Sequence, residues 1–266
     1  NLSRQDFAFT GRGPKLDFTR NYTNLSTPTY RQVMGNGWGH SLDMRLQPMG
    51  RRGSGAGSIP DWVRNNEGKF FGDILTDPPY WTSVSVNGTS FKENNGVWYS
   101  ERGRHGSLAL IGGEYVYTAK DGTKYYYDYP VLQTDPTSVK RITDRNGNTT
   151  TFSYDAFKRL NKVIDAVNRS CEFRYDNLAG FIGEENSRLM AVTCSDGIEV
   201  DFKYNAQGYL VSAKRGDHVE TYDYAPEPGI VGAPYNLIKA TDTNGHSYQY
   251  GYYGPGQLPA TLGNFV

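Results

Sequence analysis

The chain has 266 residues, with 28 basic and 28 acidic side chains, so its formal net charge is zero. A neutral chain has no overall field that would recruit nucleic acid or an anionic membrane, which argues against both partners. No apolar run reaches the ~20 residues that a membrane-spanning helix requires. The 21 tyrosines suit half-buried sheet surfaces and the 31 glycines indicate many turns, so the composition predicts an all-β fold.

The sequence pattern predicts two regions. Residues 1–118 are interpreted as a lead-in or capping β-region with a Gly/Ser-rich surface loop at 47–69, and residues 119–266 as an array of β-hairpin repeats. The loop lacks the strand and the Lys-Ser/Thr helix start that surround a phosphate-binding loop. Within the lead-in, Asn87-Gly88 separates two alternating segments and is a strong hairpin signal.

A tyrosine-marked unit recurs six times in the second region. When the Gly, Asn or Asp of a turn is position zero, an aromatic residue stands at plus five and a tyrosine at plus seven. These turn residues tolerate the positive φ of tight turns, and plus five and plus seven share one strand face. The spacing of about 20 to 29 residues resembles that of a two-strand solenoid unit. The six sets are Gly122, Tyr127, Tyr129; Gly147, Phe152, Tyr154; Asn168, Phe173, Tyr175; Gly197, Phe202, Tyr204; Asp217, Tyr222, Tyr224; and Gly245, Tyr250, Tyr252.

Apolar pairs three residues apart precede most of these turns. A strand alternates with period two, so both members of such a pair can be buried only if a bulge or twist intervenes. The pattern therefore predicts antiparallel β-hairpin repeats stacked into a curved sheet, an open segment of a β-shell whose edge strand needs a partner. The pairs are Val139 and Ile142, Leu160 and Val163, Leu189 and Val192, Leu210 and Ala213, and Leu237 and Ala240.

The two cysteines are placed symmetrically about the intervening segment. Cys171 lies three residues after Asn168, and Cys194 lies three residues before Gly197. If the strands between them run antiparallel, the two side chains fall opposite each other and a cross-strand disulfide would suit an exported protein. Two small buried thiols are the alternative, and the sequence leaves both open.

These residues resemble the RHS/YD repeat, whose signature is a Tyr-Asp pair, often followed by Gly-Arg-Leu, after a turn that contains aspartate and glycine. The best match runs from Asp144-x-x-Gly147 to Tyr154-Asp155-Ala156-Phe157-Lys158-Arg159-Leu160, with Lys158 where the motif has glycine. Upstream, residues 16–22 (LDFTRNY) and 35–46 (GNGWGHSLDMRL) are similar to the segment that begins RHS arrays.

The resemblance implies a fold and a role. Known members form hollow β-shells, many bacterial ones enclose a C-terminal toxin, and related animal proteins use such shells for extracellular adhesion. We therefore expect a structural, encapsulating module of a secreted or surface bacterial protein, with further repeats or a partner chain at its sheet edges and an enclosed toxin. An extracellular adhesion or interaction module within a larger surface assembly is the alternative. Since the chain opens on Asn1 without a methionine, we expect a fragment or a processed product.

No motif for chemistry stands out, so we expect no enzyme, no cofactor and no metal site. The four histidines (His40, His105, His218 and His246) do not show metal-ligand spacing, and neither a Cys-x-x-Cys clip nor a Gly-x-Ser-x-Gly elbow occurs. Asp144, Asp165 and Asp242 are interpreted as turn residues that accept backbone hydrogen bonds, with calcium binding as an alternative. A carbohydrate-active enzyme would need a cleft lined by paired carboxylates.

Overall fold

The computed structural model describes residues 2–23, 33–51, 81–94, 97–100, 105–130, 136–176, 187–226 and 235–252. Most of the predicted Gly/Ser-rich loop, residues 52–69, lies outside these ranges. Residues 47–51 were predicted as the beginning of that loop, but they belong to a strand, where they pair with the next strand of the chain. None of the residues described contributes a helix long and apolar enough to cross a membrane.

Every regular element in the described ranges is a β-strand, which confirms the all-β prediction. In chain order the strands are β1 (Leu2–Phe9), β2 (Leu16–Tyr22), β3 (Trp38–His40), β4 (Arg45–Arg51), β5 (Trp81–Val86), β6 (Thr89–Asn94), β7 (Val97–Ser100), β8 (Gly106–Ile111), β9 (Glu114–Ala119), β10 (Lys124–Asp128), β11 (Thr137–Thr143), β12 (Thr149–Tyr154), β13 (Leu160–Ile164), β14 (Ser170–Tyr175), β15 (Leu189–Cys194), β16 (Glu199–Tyr204), β17 (Leu210–Arg215), β18 (His218–Pro226), β19 (Tyr235–Thr241) and β20 (Ser247–Gln249).

Residue contacts divide the chain into two compact units. Unit 1 comprises residues 1–8, 17–42 and 170–266, and unit 2 comprises residues 9–16 and 43–169. These units interleave along the chain, so the boundary drawn after residue 118 stays a prediction about sequence pattern. Unit 1 holds the sheet β1–β2–β3 and the meander β14 to β20. Unit 2 holds the meanders β4 to β7 and β8 to β13, and β4 also pairs with the start of β11.

All the strand pairings given for the described residues are antiparallel, and nearly all join strands that follow each other in the chain. This confirms the antiparallel hairpin array. The solenoid reading of the repeat spacing was wrong, because each hairpin extends an antiparallel meander and does not form a coil stacked on the previous coil. The variable spacing reflects turns and insertions of different length between the same strand pairs.

One five-residue turn recurs between strands. At Asp144 the first residue's carbonyl accepts a hydrogen bond from Gly147 N at 3.1 Å, and its carboxylate Oδ1 accepts bonds from Asn146 N and Asn148 N. Three other aspartates make the same bonds, as predicted for two of them: Asp155, Asp165 and Asp242. The fourth position has positive φ, even where Lys158 occupies it at 58°.

Two of the six predicted repeats deviate from the offset rule. At the fifth, the turn has two residues between the paired Arg215 and His218, and its positive φ of 57° is at Gly216, so Asp217 is the second residue of a shorter turn. In the first repeat, Tyr127 at plus five pairs with Val139, the first residue of the next apolar pair. In the second to fifth repeats, the tyrosine at plus seven has the equivalent partner. Tyr129 lies beyond the end of β10 and stacks on Tyr115 instead.

A bulge occurs wherever one hairpin pairs with the next. The register shifts by one residue at five equivalent places, and each time the extra residue lies inside the apolar pair on the following strand. All ten members of the apolar pairs are consequently buried. The bulge predicted from their spacing is thereby confirmed. The extra residues are Lys140, Asn161, Met190, Val211 and Ile238.

Candidate functional site: the covered face of the repeat sheet

The repeat sheet, defined here as β14 to β20, has one apolar face. The plus-five residues Phe173, Phe202 and Tyr222 are buried on it, whereas Tyr250 on the last strand is only half-buried. The plus-seven tyrosines Tyr175, Tyr204, Tyr224 and Tyr252 are half-buried beside them. Alternation along each strand therefore separates this inner face from the solvated outer face, as the sequence predicts.

Four of the plus-seven tyrosines form a hydrogen bond across their own hairpin. Tyr204 Oη donates to the carbonyl of Leu189 at 2.7 Å, and Tyr224 Oη donates to that of Leu210 at 2.6 Å. Two further bonds follow the same rule, from Tyr154 to Val139 and from Tyr252 to Leu237. In each case the acceptor is the first residue of the apolar pair, whose carbonyl lies past the last pairing of its hairpin. The tyrosine hydroxyl thus supplies a hydrogen-bond donor for a backbone carbonyl that has no partner on the other strand of its hairpin.

Replacing Tyr204 by Phe should remove this bond and leave the Leu189 carbonyl unsatisfied in a buried place. We expect a loss of about 1–2 kcal/mol in the free energy of unfolding, measured by urea denaturation. The control is Tyr248→Phe, since Tyr248 is 51% exposed and its loss should cost less than about 0.5 kcal/mol. Equal effects of the two substitutions would contradict a structural role for the hydroxyl.

An N-terminal cover, defined as residues 2–8, 17–23 and 33–42, lies on the inner face. The bulges leave two backbone N–H groups for it: Leu189 N donates to Val33 O at 2.7 Å, and Leu237 N donates to Tyr22 Oη at 2.9 Å. Each of these two apolar residues therefore gives its N–H to the cover and its carbonyl to a tyrosine of its own hairpin. The cover therefore hydrogen-bonds to the repeat sheet at residues that lie next to bulges.

Aromatic rings form the apolar part of the same contact. Phe18 is completely buried, stacks on Phe7 of the cover, and meets Phe173 and Phe202 of the repeat sheet at centroid distances of 6.0 and 6.1 Å. His40 stacks on Phe18 at 5.2 Å. The plus-five aromatics of the third and fourth predicted repeats thus contact the cover and not solvent.

Arg20 is the centre of the polar part. It is 1% exposed and binds Asp6 with two hydrogen bonds of 2.7 and 2.8 Å. Its remaining bonds reach the repeat sheet, to Tyr222 Oη at 2.6 Å and to Glu220 at 2.8 Å. The Trp38 ring lies 5.8 Å from the guanidinium carbon. This fork joins two elements that are about two hundred residues apart in sequence.

The electrostatics of this cluster keep Arg20 charged. Burial is the largest single influence and disfavours the cation. The hydrogen bond to Asp6 and the attraction to Tyr222, Asp6 and Glu220 together outweigh burial and hold the pKa of Arg20 above its usual value. Burial also raises the pKa of the Tyr222 hydroxyl, which therefore stays protonated beside Glu220. In the same hydrogen-bonded cluster, burial raises the pKa of the Asp6 carboxyl, and the hydrogen bonds from Arg20 oppose this rise.

The Gly35-Asn36-Gly37-Trp38 segment brings the cover close to the turn between β16 and β17. Gly35 has a φ of +84°, and a Cβ there would stand 2.5 Å from the carbonyl oxygen of Gly208. Trp38 Nε1 donates to Tyr224 Oη at 2.8 Å, and that hydroxyl donates onward to Leu210. Four residues of the upstream motif, Arg20, Tyr22, Gly35 and Trp38, therefore each contact the repeats.

The two cysteines form a disulfide across β14 and β15. Cys171 and Cys194 are direct register partners with a Cα–Cα distance of 4.0 Å, and both are buried. Of the two alternatives left open by the sequence, the structure contains the bridge. Cys194 is also the first residue of the turn that ends at Ile198.

Unit 2 contains its own charged cluster on its repeats. Glu114 on β9 accepts two hydrogen bonds from Arg141 on β11, at 3.0 and 2.6 Å, and one from Lys140. These bonds, led by that from Arg141, lower the pKa of Glu114 to about 2. The predicted repeat residues Tyr127 and Phe152 are buried in the same unit.

The lowered pKa of Glu114 predicts an acid-sensitive contribution to stability. A depressed folded-state pKa stabilises the fold above the unfolded value near 4.5, and this contribution is lost as the pH falls through about 2. Glu114→Gln should therefore reduce the difference in unfolding free energy between pH 6 and pH 2.5 by about 1 kcal/mol, discounted for solvent screening. Arg141→Gln should do the same, and the double variant should lose no more; additive losses in urea denaturation would exclude the pairing.

The histidines and carboxylates were also inspected for metal-binding or catalytic arrangements. Among the residues described, no three His, Cys, Asp or Glu side chains form a group that could hold a metal ion. His218 and His246 are exposed at hairpin tips. An open groove of about 660 Å³ beside one tip carries Glu199 and Asp201, and also Lys214 and Arg215. Among the residues described, its lining contains no Phe, Tyr or Trp side chain.

Two family models match the chain. Residues 1–57 match the "Domain of unknown function (DUF6531)", and residues 135–170 match the "RHS Repeat". The first match includes the cover, and the second spans β11 to β13 with the turns at Asp144, Asp155 and Asp165. No curated protein sequence matches the chain.

Among solved structures, the chain is similar to a chain in the crystal structure of TcdB2-TccC3-Cdc42, at 13% identity and a TM-score of 0.23. The similarity covers 62% of this chain and 11% of that one, so this chain spans a small part of its neighbour's length. A similarity of this strength does not establish a common fold. The family matches, the Tyr-Asp turns and the bulged hairpins agree with one another and support membership of the RHS/YD-repeat family.

Proposed function

We propose that this chain is the opening segment of an RHS shell, a structural module that encloses the C-terminal toxin of a secreted or surface-exposed bacterial protein. The proposal treats the chain as a container wall and not as an enzyme. The proposal is supported by the burial of the inner face along the repeat sheet. A shell wall must bury one face and leave an edge strand on which further hairpins can pair.

The observation that carries the proposal is the loss of burial along the repeat sheet. On β14 and β16 the inner-face residues Cys171, Phe173 and Val200 are buried, whereas on β20 Tyr248 is 51% exposed. Tyr248 pairs with the buried Ala240, so it belongs to the same inner face. Aromatic residues at that edge are placed as they would be for a following hairpin that covers them.

The cover contacts the repeat sheet along its described length. These contacts run from Phe173 on β14 to Tyr248 on β20, whose ring centroid is 5.6 Å from the Arg4 guanidinium carbon. Among the described strand pairings, β20 pairs with β19, and its other backbone edge can accept a following hairpin.

Limited proteolysis of the full-length gene product tests enclosure. We expect further repeats and a variable C-terminal domain after Val266, with that domain resistant to protease while the wall is intact. Tyr248→Asp, on the inner face of β20, should make the domain cleavable, whereas Gln249→Asp on the opposite face should not. A C-terminal domain cut equally fast in all three proteins would overturn the proposal.

Exposed apolar residues in unit 2 favour a second candidate, an extracellular adhesion or interaction module. Val97, Tyr99, Leu110 and Ile111 on β7 and β8 are each at least half exposed. Such residues mark protein contact sites more often than chance when they adjoin. A partner chain bound to these strands in the full-length protein, with no enclosed domain, would favour this function over enclosure.

A further inference from the structure

The turn after β15 keeps the backbone bonds of the repeated five-residue turn. Cys194 N donates to Ile198 O at 2.8 Å, and Gly197 N donates to Cys194 O at 3.0 Å. In the matching hairpin turns, Asp144 and Asp242 occupy the first position and accept two backbone N–H groups with one carboxylate oxygen. Cys194 has no such oxygen.

The side chain of Cys194 does something else. Its sulfur is bonded to that of Cys171, the register partner on β14, and both residues are buried. One of the two N–H groups that aspartate would take, Ile198 N, reaches the neighbouring Asp196 at 3.3 Å. The turn is therefore crosslinked by a covalent bond where the turns at Asp144, Asp155, Asp165 and Asp242 are held by a carboxylate. The turn at Ala119 keeps the same backbone bonds with neither of these.

We propose that the Cys171–Cys194 bridge is an oxidative lock that replaces the turn aspartate, so that this hairpin acquires its full rigidity only after thiol oxidation. Cys194 accepts no turn N–H group in either redox state, so reduction acts by removing the crosslink of the strand pair at this point. The turns at Asp144, Asp155, Asp165 and Asp242 need no oxidation, because their carboxylates already accept the turn N–H groups.

The chemistry requires a small disulfide, such as oxidised glutathione, as the oxidant. One cysteine loses its proton and its thiolate attacks that disulfide, which forms a mixed disulfide and releases one thiolate. The second cysteine, also deprotonated, displaces the second thiolate and forms the S–S bond. Two electrons pass to the oxidant, and the two protons end on its two thiols. Once formed, the bond is buried, so reductants reach it only when the turn opens.

Hydrogen exchange of the full chain, oxidised and then reduced with a phosphine under native conditions, tests the lock. We expect the amides of residues 195–198 to exchange about tenfold faster after reduction, while those of the aspartate turn at 144–148 are unchanged. Equal exchange of residues 195–198 in the two redox states would overturn the proposal.

Two double variants separate the role in the turn from general damage to the fold. Cys171→Ala with Cys194→Asp should restore slow exchange of residues 195–198, to within about threefold of the oxidised chain and independently of reductant. Cys171→Ala with Cys194→Ala should stay fast. If the aspartate variant exchanged as fast as the alanine variant, replacement of the carboxylate by the bridge would be refuted.

Discussion

Replacing Arg20 by Met is expected to lower the free energy of unfolding of unit 1 by about 3–5 kcal/mol. The guanidinium is 1% exposed and supplies both bonds to Asp6, which is itself buried. Without Arg20, that carboxylate loses its principal partner in a place where water cannot replace it. The loss should appear in urea denaturation and as faster hydrogen exchange of β2 and β18.

Arg4→Met is the matched control. Arg4 approaches the same Glu220 at 3.3 Å, but a quarter of its side chain is exposed, so its removal should cost no more than about 1 kcal/mol. Adding Asp6→Leu to Arg20→Met removes the uncompensated charge and should recover part of the loss. Comparable destabilisation by the two arginine substitutions, or no recovery in the double variant, would show that Arg20 does not fasten the cover.

The second large effect is expected at Gly35, where alanine should cost about 2–4 kcal/mol. The φ of +84° contributes about 1 kcal/mol, since only glycine adopts it without strain. The remainder comes from a Cβ placed 2.5 Å from the Gly208 carbonyl, a backbone atom that cannot rotate away. Hydrogen exchange of residues 205–210 should increase because the cover must withdraw from this turn.

Gly245→Ala isolates the backbone contribution. Its φ of +82° is nearly that of Gly35, but a Cβ there would meet no atom within 4 Å. Its cost should therefore be about 1 kcal/mol, from conformation alone. If urea denaturation gave the two glycine substitutions the same cost, close approach of the cover to Gly208 would not be a source of stability.

The local features of the fold were predictable because local chemistry determines them. Positive φ at Gly147 and Asn168, the Asp144 turn and the bulge inside Leu189–Val192 all follow from turn preferences and strand alternation within some ten residues. The Cys171–Cys194 pairing follows from the same register reasoning, although the sequence alone favours two free thiols equally.

The two repeats that deviate from the offset rule also do so for local reasons. Gly216 and Asp217 are adjacent and both suit a tight turn, so offsets alone could not show which one has the positive φ. The set that begins at Gly122 fits the offsets as well as the others do. Only the position of its bulge, at Lys140, shows that Tyr127 takes the pairing found elsewhere at plus seven.

The contacts of the cover could not be predicted, because they join residues far apart in sequence. Periodicity shows that Phe18 and Phe202 lie on apolar faces, but not that these two faces meet. A buried arginine has no signature in sequence that separates it from a surface arginine. The signal that was available is the upstream motif itself, in which Arg20, Tyr22, Gly35 and Trp38 each contact the repeats.

Electron cryomicroscopy of the full-length gene product tests most directly the claim that this chain begins a growing array of hairpins. We predict an antiparallel strand paired with β20 and a following hairpin that buries Tyr248 and Tyr250 on the inner face. A β20 that remains an unpaired edge with both tyrosines in solvent, or that borders a domain of another fold, would contradict it.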